Sequence, residues 1–294
     1  MVDAPVESGA AGDVPALLAR VHGQCVFFED RAASHPGRCR IHTALGHDAL
    51  PLACRQFPRV SVLDPRGVSV TLSHYCPTAA GLLDGLLTDD SGNRFPESTP
   101  GIVFDTAFPA TAEYSGLDAR HALPPLVRPN LLMDWDAWWE CERLAVSLLT
   151  GADSPSDALA RLRAVVLDVE SWSPADGPLL ERVRSAFRQD LRSPVDVSAD
   201  ALVAAVHAAI PADLASPPAL VEPRPTDRAA RRFLAAHAFA NWPIHLGPGL
   251  RVWLRSIEAA WALLDAGLGV RAADLRLRHL ADTQALCEGL ERLG

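Results

Sequence analysis

The stretch from residue 54 to residue 76 reads CRQFPRVSVLDPRGVSVTLSHYC, and the rest of the chain is arranged around it. Residues 59–63 and 68–72 alternate apolar and polar side chains, which is typical of β-strands. The turn residues between them include a proline preset for the second turn position and a glycine that tolerates a positive φ. The sequence therefore predicts a β-hairpin that brings Cys54, just before it, close to Cys76, just after it.

Two further cysteines, Cys25 and Cys39, precede this hairpin. Residues 25–28 and 38–42 have the composition of short strands, and the polar loop between them runs through a Pro-Gly pair at residues 36–37. We therefore expect a second hairpin that pairs Cys25 with Cys39. The two hairpins would present two pairs of thiols.

Four neighbouring thiols are consistent with disulfides, with a metal or cluster site, or with small residues in a core. The first 12 residues are small and acidic, without the basic start and apolar run of a secretion signal. We therefore expect a cytoplasmic, reducing environment, in which structural disulfides are rare and clustered cysteines bind metal or do redox work. Four thiolates would complete a tetrahedral zinc site or a [4Fe–4S] cluster. Because no Cys-x-x-Cys pair is present, unligated core cysteines stay open as the alternative.

Four motifs follow one another along the chain: Cys25-Val-Phe, Cys39-Arg-Ile-His42, the run GHDALPLACRQFPR over residues 46–59, and Cys76-Pro77. In this order they resemble the cysteine-cluster proteins that chelate zinc or iron, and in particular the branch similar to flagellin lysine-N-methylase. That family shows Cys followed by Phe or Leu, Cys-x-Ile-His/Tyr, Gly-x-x-x-Leu-Pro-x-x-Cys-Arg-x-Phe-Pro-Arg and a final Cys-Pro. The family's earlier Cys-x-x-Cys or Cys-Cys cluster has no counterpart here, because no cysteine precedes Cys25.

The resemblance implies protein-lysine N-methylation with S-adenosylmethionine as methyl donor. It also implies a [4Fe–4S] cluster, or else zinc, held by four thiolates, those of Cys25, Cys39, Cys54 and Cys76. An unrelated alternative is a non-catalytic zinc- or iron-binding protein whose four-cysteine site is structural, because bound metal can itself stabilise a small fold.

Composition limits the partners of the protein. The chain has 294 residues and a formal net charge of −9, which argues against nucleic acid or an anionic membrane as the main partner. No stretch approaches the roughly 20 continuous apolar residues of a membrane span. All 27 basic residues are arginine, which a composition bias of the source genome explains most simply. A protein substrate is the partner that the resemblance implies.

Several enzyme classes lack their motifs in this chain. The glycine-rich nucleotide-binding motifs, Gly-x-Ser-x-Gly and His-Glu-x-x-His are all absent from the sequence. The Cys-x-x-x-Cys-x-x-Cys of most radical S-adenosylmethionine enzymes is absent too. The residues alone therefore locate neither a methyl-donor site nor a general base.

The remaining pattern predicts a mostly α, α+β protein. Residues 1–87 form the cysteine-cluster module, residues 88–130 a long connection, and residues 131–294 a helical body that would divide at the Pro-rich linker 210–225. Apolar periodicity, caps and breaker residues predict helices at 78–87, 133–149, 153–170, 178–190, 198–209, 226–242, 247–268 and 272–293. The pair 133–149 and 153–170 resembles the helical hairpin of the same family.

Within the connection, Glu113 and Tyr114 have the chemistry to hold a lysine side chain and accept its proton. Asp105 and His121 lie in the same segment. Exposed loop residues are the simpler interpretation of all four.

Other reactive residues lie beside the third cysteine or in the helical body. Arg55 and Arg59 can lower the pKa of a thiolate and offset the charge of a four-thiolate site. His237 and His245 lie close together in sequence, although a histidine on a half-buried helix is more often structural. Cys141 reads as a small buried residue among aromatic side chains.

Overall fold

The structure, a computed structural model, describes residues 20–21, 24–29, 38–84, 102–105, 116–151, 153–193, 197–214, 220 and 222–294. It confirms the mostly α, α+β class, since helices dominate and the strands form only small sheets. The chain divides into two compact units, Met1–Gln56 and Phe57–Gly294.

The N-terminal unit is built from short elements. They are β1 (Arg20–Val21), β2 (Gln24–Cys25), β3 (Phe28–Glu29), β4 (Arg38–Cys39), α1 (Arg40–Leu45) and α2 (Leu52–Gln56), with a 3₁₀ turn at His47–Ala49. Among its described side chains, only that of Gln56 is buried. The described part of this unit therefore shows no apolar core of its own.

Strand pairing in this unit differs from the expected Cys25–Cys39 hairpin. β1 pairs with β2 and β3 pairs with β4, so Cys25 lies opposite Arg20 and Cys39 lies opposite Phe28. The chain turns at residues 26–27, directly after Cys25, and this turn starts a new strand before the polar loop begins. Residues 40–42, expected as the end of a strand over 38–42, belong to α1 instead.

The C-terminal unit begins with the predicted hairpin, which is confirmed. β5 (Arg59–Asp64) and β6 (Gly67–Leu72) pair antiparallel, with Asp64 opposite Gly67 at the turn. Gly67 has a φ of 134°, which explains why glycine occupies this position. Asp64 Oδ1 accepts a hydrogen bond from the Arg66 amide at 2.8 Å, a local contact that favours turns.

The segment expected as a connection contributes strands to this hairpin. β7 (Ile102–Asp105) pairs antiparallel with β6, and β8 (Leu117–Asp118) pairs parallel with β5, which gives the order β7-β6-β5-β8. β9 (Leu126–Arg128) and β10 (Leu131–Leu132) form a separate antiparallel pair. Strands this short are stabilised by the edge they pair with, and their own sequence shows little alternation.

Helices make up the rest of the unit, in the predicted order. They are α3 (Pro77–Asp84), α4 (Trp135–Thr150), α5 (Pro155–Glu170), α6 (Leu179–Arg188), α7 (Ala199–Ala208), α8 (Asp227–Ala238), α9 (Pro243–Leu246), α10 (Leu250–Asp265), α11 (Val270–Asp274) and α12 (Thr283–Glu291). Side-chain caps at Asp134, Ser154, Ser198 and Thr226 each accept a backbone amide, worth about 1 kcal/mol apiece. No described helix is both long and apolar enough to cross a membrane.

The core of this unit lies where α4, α8 and α10 pack together. The rings of Trp138 and Trp253 meet edge to face at 5.6 Å, and both side chains are buried. The sheet packs on the end of this layer, since Trp242 Nε1 donates to the Ser61 carbonyl at 3.1 Å. The hairpin therefore has a fixed position on the helical body.

The last predicted helix, 272–293, is not continuous. α11 ends at Asp274, a π-helix follows at Leu275–Leu280, and α12 begins only after Asp282, whose side chain accepts the Ala285 amide. A π-helix inside an α-helical run often accompanies a functional site.

Candidate functional site

Three of the four predicted cysteine ligands lie in the N-terminal unit. Cys25 ends β2, Cys39 ends β4 and Cys54 lies in α2. The amide of Arg40, directly after Cys39, donates to the carbonyl of Phe27 at 2.8 Å. This bond fastens the end of β4 to the turn that follows Cys25.

Cys25 and Cys39 lie close enough to Cys54 to affect its ionisation. Cys54 is exposed as a residue, but its sulfur is partly desolvated. This burial, together with the negative charges of Cys25 and Cys39, raises the pKa of the Cys54 thiol. Like charges disfavour a thiolate, whereas a bound cation favours it. Thiolate sulfur is the donor type that soft metal ions and iron-sulfur clusters prefer.

The fourth predicted ligand, Cys76, belongs to the C-terminal unit. It is half-buried, and its carbonyl accepts the amide of Ala80 at 2.9 Å, so it lies at the start of α3. The six cysteines are all free thiols. Among the described residues, no group of three His, Cys, Asp or Glu side chains lies close enough to hold a metal ion. Cys25 and Cys39 thus influence the ionisation of Cys54, but the three thiols do not have the geometry of metal ligands.

The two arginines beside the third cysteine differ in their surroundings. Arg55 follows Cys54 in α2, and its Nε atom is buried without a hydrogen-bond partner among the described residues. Arg59 begins β5 and is exposed. A buried, unpartnered guanidinium N–H is a donor still available to an anion such as a thiolate.

A second candidate site surrounds the buried carboxylate of Asp274, in the C-terminal unit. Asp274 Oδ2 accepts hydrogen bonds from Ser73 Oγ at 2.8 Å and from the Tyr75 amide at 3.1 Å. Its Oδ1 lies 3.2 Å from His237 Nε2 and 3.2 Å from Arg278 Nε. Because a buried charge is costly unless it is paired and hydrogen-bonded, this set of partners accounts for an ionised carboxylate here.

Ionisation in this network follows from burial and from the charges around it. Burial would raise the pKa of Asp274, but the hydrogen bond from His237 and the charge of Arg278 hold it far below its usual range. Burial lowers the pKa of His237 to about 4, and the Arg278 charge acts in the same direction. At neutral pH the network therefore pairs a carboxylate with a guanidinium and a neutral imidazole.

His74, next to Ser73, is fully buried. Neither of its ring nitrogens has a hydrogen-bond partner among the described residues, and its ring meets that of Phe233 edge to face at 5.6 Å. Burial lowers the pKa of His74 to about 3. Buried polar atoms are nearly always hydrogen-bonded, so these nitrogens have capacity for a small polar partner.

The Asp274 network reaches the surface at His279 in the π-helix. His279 Nε2 lies 2.6 Å from Ser73 Oγ. The rings of Phe57 and Tyr75 lie 6.2 and 5.5 Å from the His279 ring and 6.5 Å from each other. Phe57 is 43% exposed and the His279 side chain 32%, so this cluster of three rings is open to solvent.

The two histidines that are neighbours in sequence have separate environments. His237 lies in the Asp274 network, whereas His245 lies beside Trp135 and Trp138, with ring centroids 6.4 Å apart in each pair. Burial lowers the pKa of His245 to about 4. They form no joint site among the described residues, in agreement with the structural interpretation.

The structure describes three of the other predicted candidates, Cys141, His121 and Asp105. Cys141 is buried and its thiol pKa is raised to about 12 by burial, which confirms an inert packing residue. His121 is exposed and Asp105 ends β7. Glu113 and Tyr114 lie outside the described residues.

Sequence reasoning missed the residues around Asp274. Ser73 and Tyr75 flank His74 in the motif that ends at Cys76, and this local concentration of polar residues was the available signal. Asp274 follows two alanines in a segment that also carries several arginines, which gave little further signal. The 201-residue separation between Ser73 and Asp274 is beyond any local pattern.

Comparison with known proteins adds no assignment: no protein-family model, no curated protein and no solved structure matches this chain.

Proposed function

We propose that the protein takes part in protein-lysine N-methylation and binds a [4Fe–4S] cluster, or else zinc, through Cys25, Cys39, Cys54 and Cys76. The observation that supports the metal site is the grouping of three thiols in the N-terminal unit, where Cys25 and Cys39 oppose the ionisation of Cys54. Cys76 enters as the fourth ligand on its Cys-Pro motif alone.

The chain's own residues have defined tasks in this proposal. The four sulfurs bind the group, and the buried Nε of Arg55 donates to a thiolate and offsets part of the four negative charges. When bound, a cluster supplies redox capacity and zinc supplies Lewis acidity.

The methylation half of the proposal rests on the order of the cysteine motifs. S-adenosylmethionine is the methyl donor and a lysine of another protein is the acceptor, in a cytoplasmic setting that keeps the thiols reduced. The chain carries no lysine itself, since all 27 basic residues are arginine.

A second candidate function, a purely structural metal site, is favoured by the burial pattern. Among the described side chains of the N-terminal unit only Gln56 is buried. Since the described side chains of this unit form no apolar core, a structural metal is a common source of the stability that such a small unit needs.

Metal and sulfide analysis of full-length protein purified without oxygen tests the metal site. Iron with an equal amount of acid-labile sulfide identifies a cluster, and zinc alone identifies a zinc site. Protein that contains neither iron nor zinc would contradict the proposal. Transfer of labelled methyl groups from S-adenosylmethionine to a lysine-containing protein supports the enzyme. Metal-replete protein that transfers none supports the structural role.

A further inference from the structure

Three rings at the surface of the C-terminal unit have the spacing of a cation site. The centroids of Phe57, Tyr75 and His279 form a triangle with sides of 6.5, 6.2 and 5.5 Å, and the rings are inclined to one another by 53° to 70°. A cation seated about 3 Å above this triangle would lie roughly 4.6 Å from each centroid, inside the roughly 6 Å range of cation–π attraction. Inclined rings, unlike a flat stack, can offer more than one face to such a group.

The hydrogen bonds behind the cluster fix the proton on His279. Asp274 Oδ2, the oxygen that faces Ser73, also accepts a hydrogen bond from the Tyr75 amide, and Oδ1 pairs with Arg278. The carboxylate is therefore ionised and can only accept hydrogen bonds. Ser73 must therefore donate its single proton to Asp274, at 2.8 Å. Ser73 Oγ then accepts from His279 Nε2–H at 2.6 Å.

This tautomer leaves the Nδ1 lone pair of His279 as an acceptor. No described residue makes a hydrogen bond to Nδ1, and the side chain is 32% exposed. A neutral imidazole with Nε2 protonated accepts a hydrogen bond only at Nδ1. The ring cluster therefore combines π-systems with one acceptor that no described residue uses.

Charge around the cluster is compatible with a cation. The Arg271 guanidinium already lies 5.9 Å from the centroid of the Tyr75 ring, and Glu222 pairs with it at 3.5 Å. Arg278 is likewise paired with Asp274. Arg271 and Arg278 thus each have a carboxylate partner, which reduces their repulsion of a further cation.

We propose that Phe57, Tyr75 and His279 form a binding site for an alkylammonium group, with cation–π contacts from the rings and a hydrogen bond to His279 Nδ1. A lysine side chain ends in an alkylammonium group. The choice of lysine as the ligand rests on the proposed function. The site would hold the substrate amine. Neutral alkyl chains would bind more weakly, because they can make neither the cation–π contacts nor the hydrogen bond.

Titration of the full-length, metal-loaded protein with two peptides tests the site. One peptide carries a central lysine, and the other carries norleucine, its uncharged analogue. We expect the lysine peptide to bind at least about fivefold more tightly, with NMR shifts at His279. Equal binding of both peptides, or shifts elsewhere, would overturn the site without the need for any variant.

Paired variants separate the two contacts. Tyr75→Phe keeps the ring and should retain affinity, whereas Tyr75→Leu should lose about threefold or more. His279→Phe keeps a ring but removes Nδ1, and it should lower affinity for lysine without changing affinity for norleucine. Metal content is measured in each variant, because Tyr75 adjoins Cys76. Unchanged lysine affinity in both Tyr75→Leu and His279→Phe would contradict the site.

The proposed function and this site can fail separately. Lysine-selective binding in protein that transfers no methyl group leaves the site in place and removes the enzymatic proposal. Methyl transfer that persists at the wild-type rate in both Tyr75→Leu and His279→Phe removes the site as the substrate pocket and leaves the enzymatic proposal in place.

Discussion

Ser73 Oγ donates to Asp274 Oδ2 at 2.8 Å, and this hydrogen bond joins two residues that are 201 positions apart in sequence. It connects the end of the β5–β6 hairpin to the end of α11. The same carboxylate holds Arg278 and His237, so one buried anion joins the hairpin, α8 and the π-helix. The position of the motif around Cys76 within its unit therefore depends on Asp274.

Replacing Asp274 by Ala should destabilise the C-terminal unit by about 3–5 kcal/mol. The substitution leaves Arg278 as a buried, uncompensated charge and removes the acceptor of Ser73 and of the Tyr75 amide. Urea unfolding followed by tryptophan fluorescence measures the change. Asp265→Ala is the matched control, because Asp265 is half-exposed in a surface pair with Arg224 and its loss should cost about 1 kcal/mol or less. Equal effects of the two variants would contradict this role.

Stability should fall as the pH is lowered from neutral through the range set by His237. Its pKa falls from 6.5 in the unfolded chain to about 4 in the folded protein, so between these values the unfolded state binds a proton that the folded state does not. This difference lowers the free energy of unfolding by about 1.4 kcal/mol per pH unit for that histidine. Urea unfolding curves at pH 7, 6 and 5, roughly one unit apart, give the slope of the free energy of unfolding against pH.

The His237→Gln variant should show a shallower slope, because it removes the titrating group. The exposed His121 provides the control, and His121→Gln should leave the slope unchanged. A wild-type slope that survives in His237→Gln would assign the effect to other groups.

Replacing any one of Cys25, Cys39, Cys54 or Cys76 by Ser should lower the metal content of protein purified without oxygen. A hydroxyl is a poorer ligand than a thiolate for soft metals and clusters, so one missing sulfur opens the site. Cys141→Ala and Cys287→Ala are the controls, since both side chains are buried in the core of the C-terminal unit. Retained metal in Cys76→Ser alone would mean a three-thiol site within the N-terminal unit.

Arg55→Ala should lower metal retention during dialysis against a chelator, whereas Arg59→Ala should not. The Nε of Arg55 is buried and unpartnered among the described residues, while Arg59 is exposed. A donor beside a thiolate site typically contributes 10- to 100-fold in metal affinity, to order of magnitude. Full retention in Arg55→Ala would exclude a supporting role for this guanidinium.

Local signals explain which parts of the fold were predictable. The β5–β6 hairpin follows from strand alternation and from Gly67 at a positive φ, and the starts of α4 and α5 follow from the caps Asp134 and Ser154. β7 and β8 were missed because they are strands only through pairing with β6 and β5. The break of the last helix at Leu275–Leu280 leaves no signal in the apolar periodicity of the sequence.

The candidate sites show the same division. Motifs in the sequence identified the cysteines, but their pairing partners depend on a turn directly after Cys25 that composition did not reveal. The acceptor of the Ser73 hydroxyl could not be predicted, because hydrogen bonds between distant segments leave no local pattern. Sequence thus predicted reactive residue types, and tertiary structure decided which of them meet.

The exposed character of the N-terminal unit bears on how unfolding should be measured. Its described side chains are open to solvent or half-buried, with Gln56 as the exception, whereas the C-terminal unit has a continuous apolar core. Two units with such different sources of stability need not melt together, so a single midpoint temperature would not describe the chain. If the proposed metal site stabilises the N-terminal unit, a chelator should act as a selective denaturant of that unit while the unfolding transition of the C-terminal unit persists.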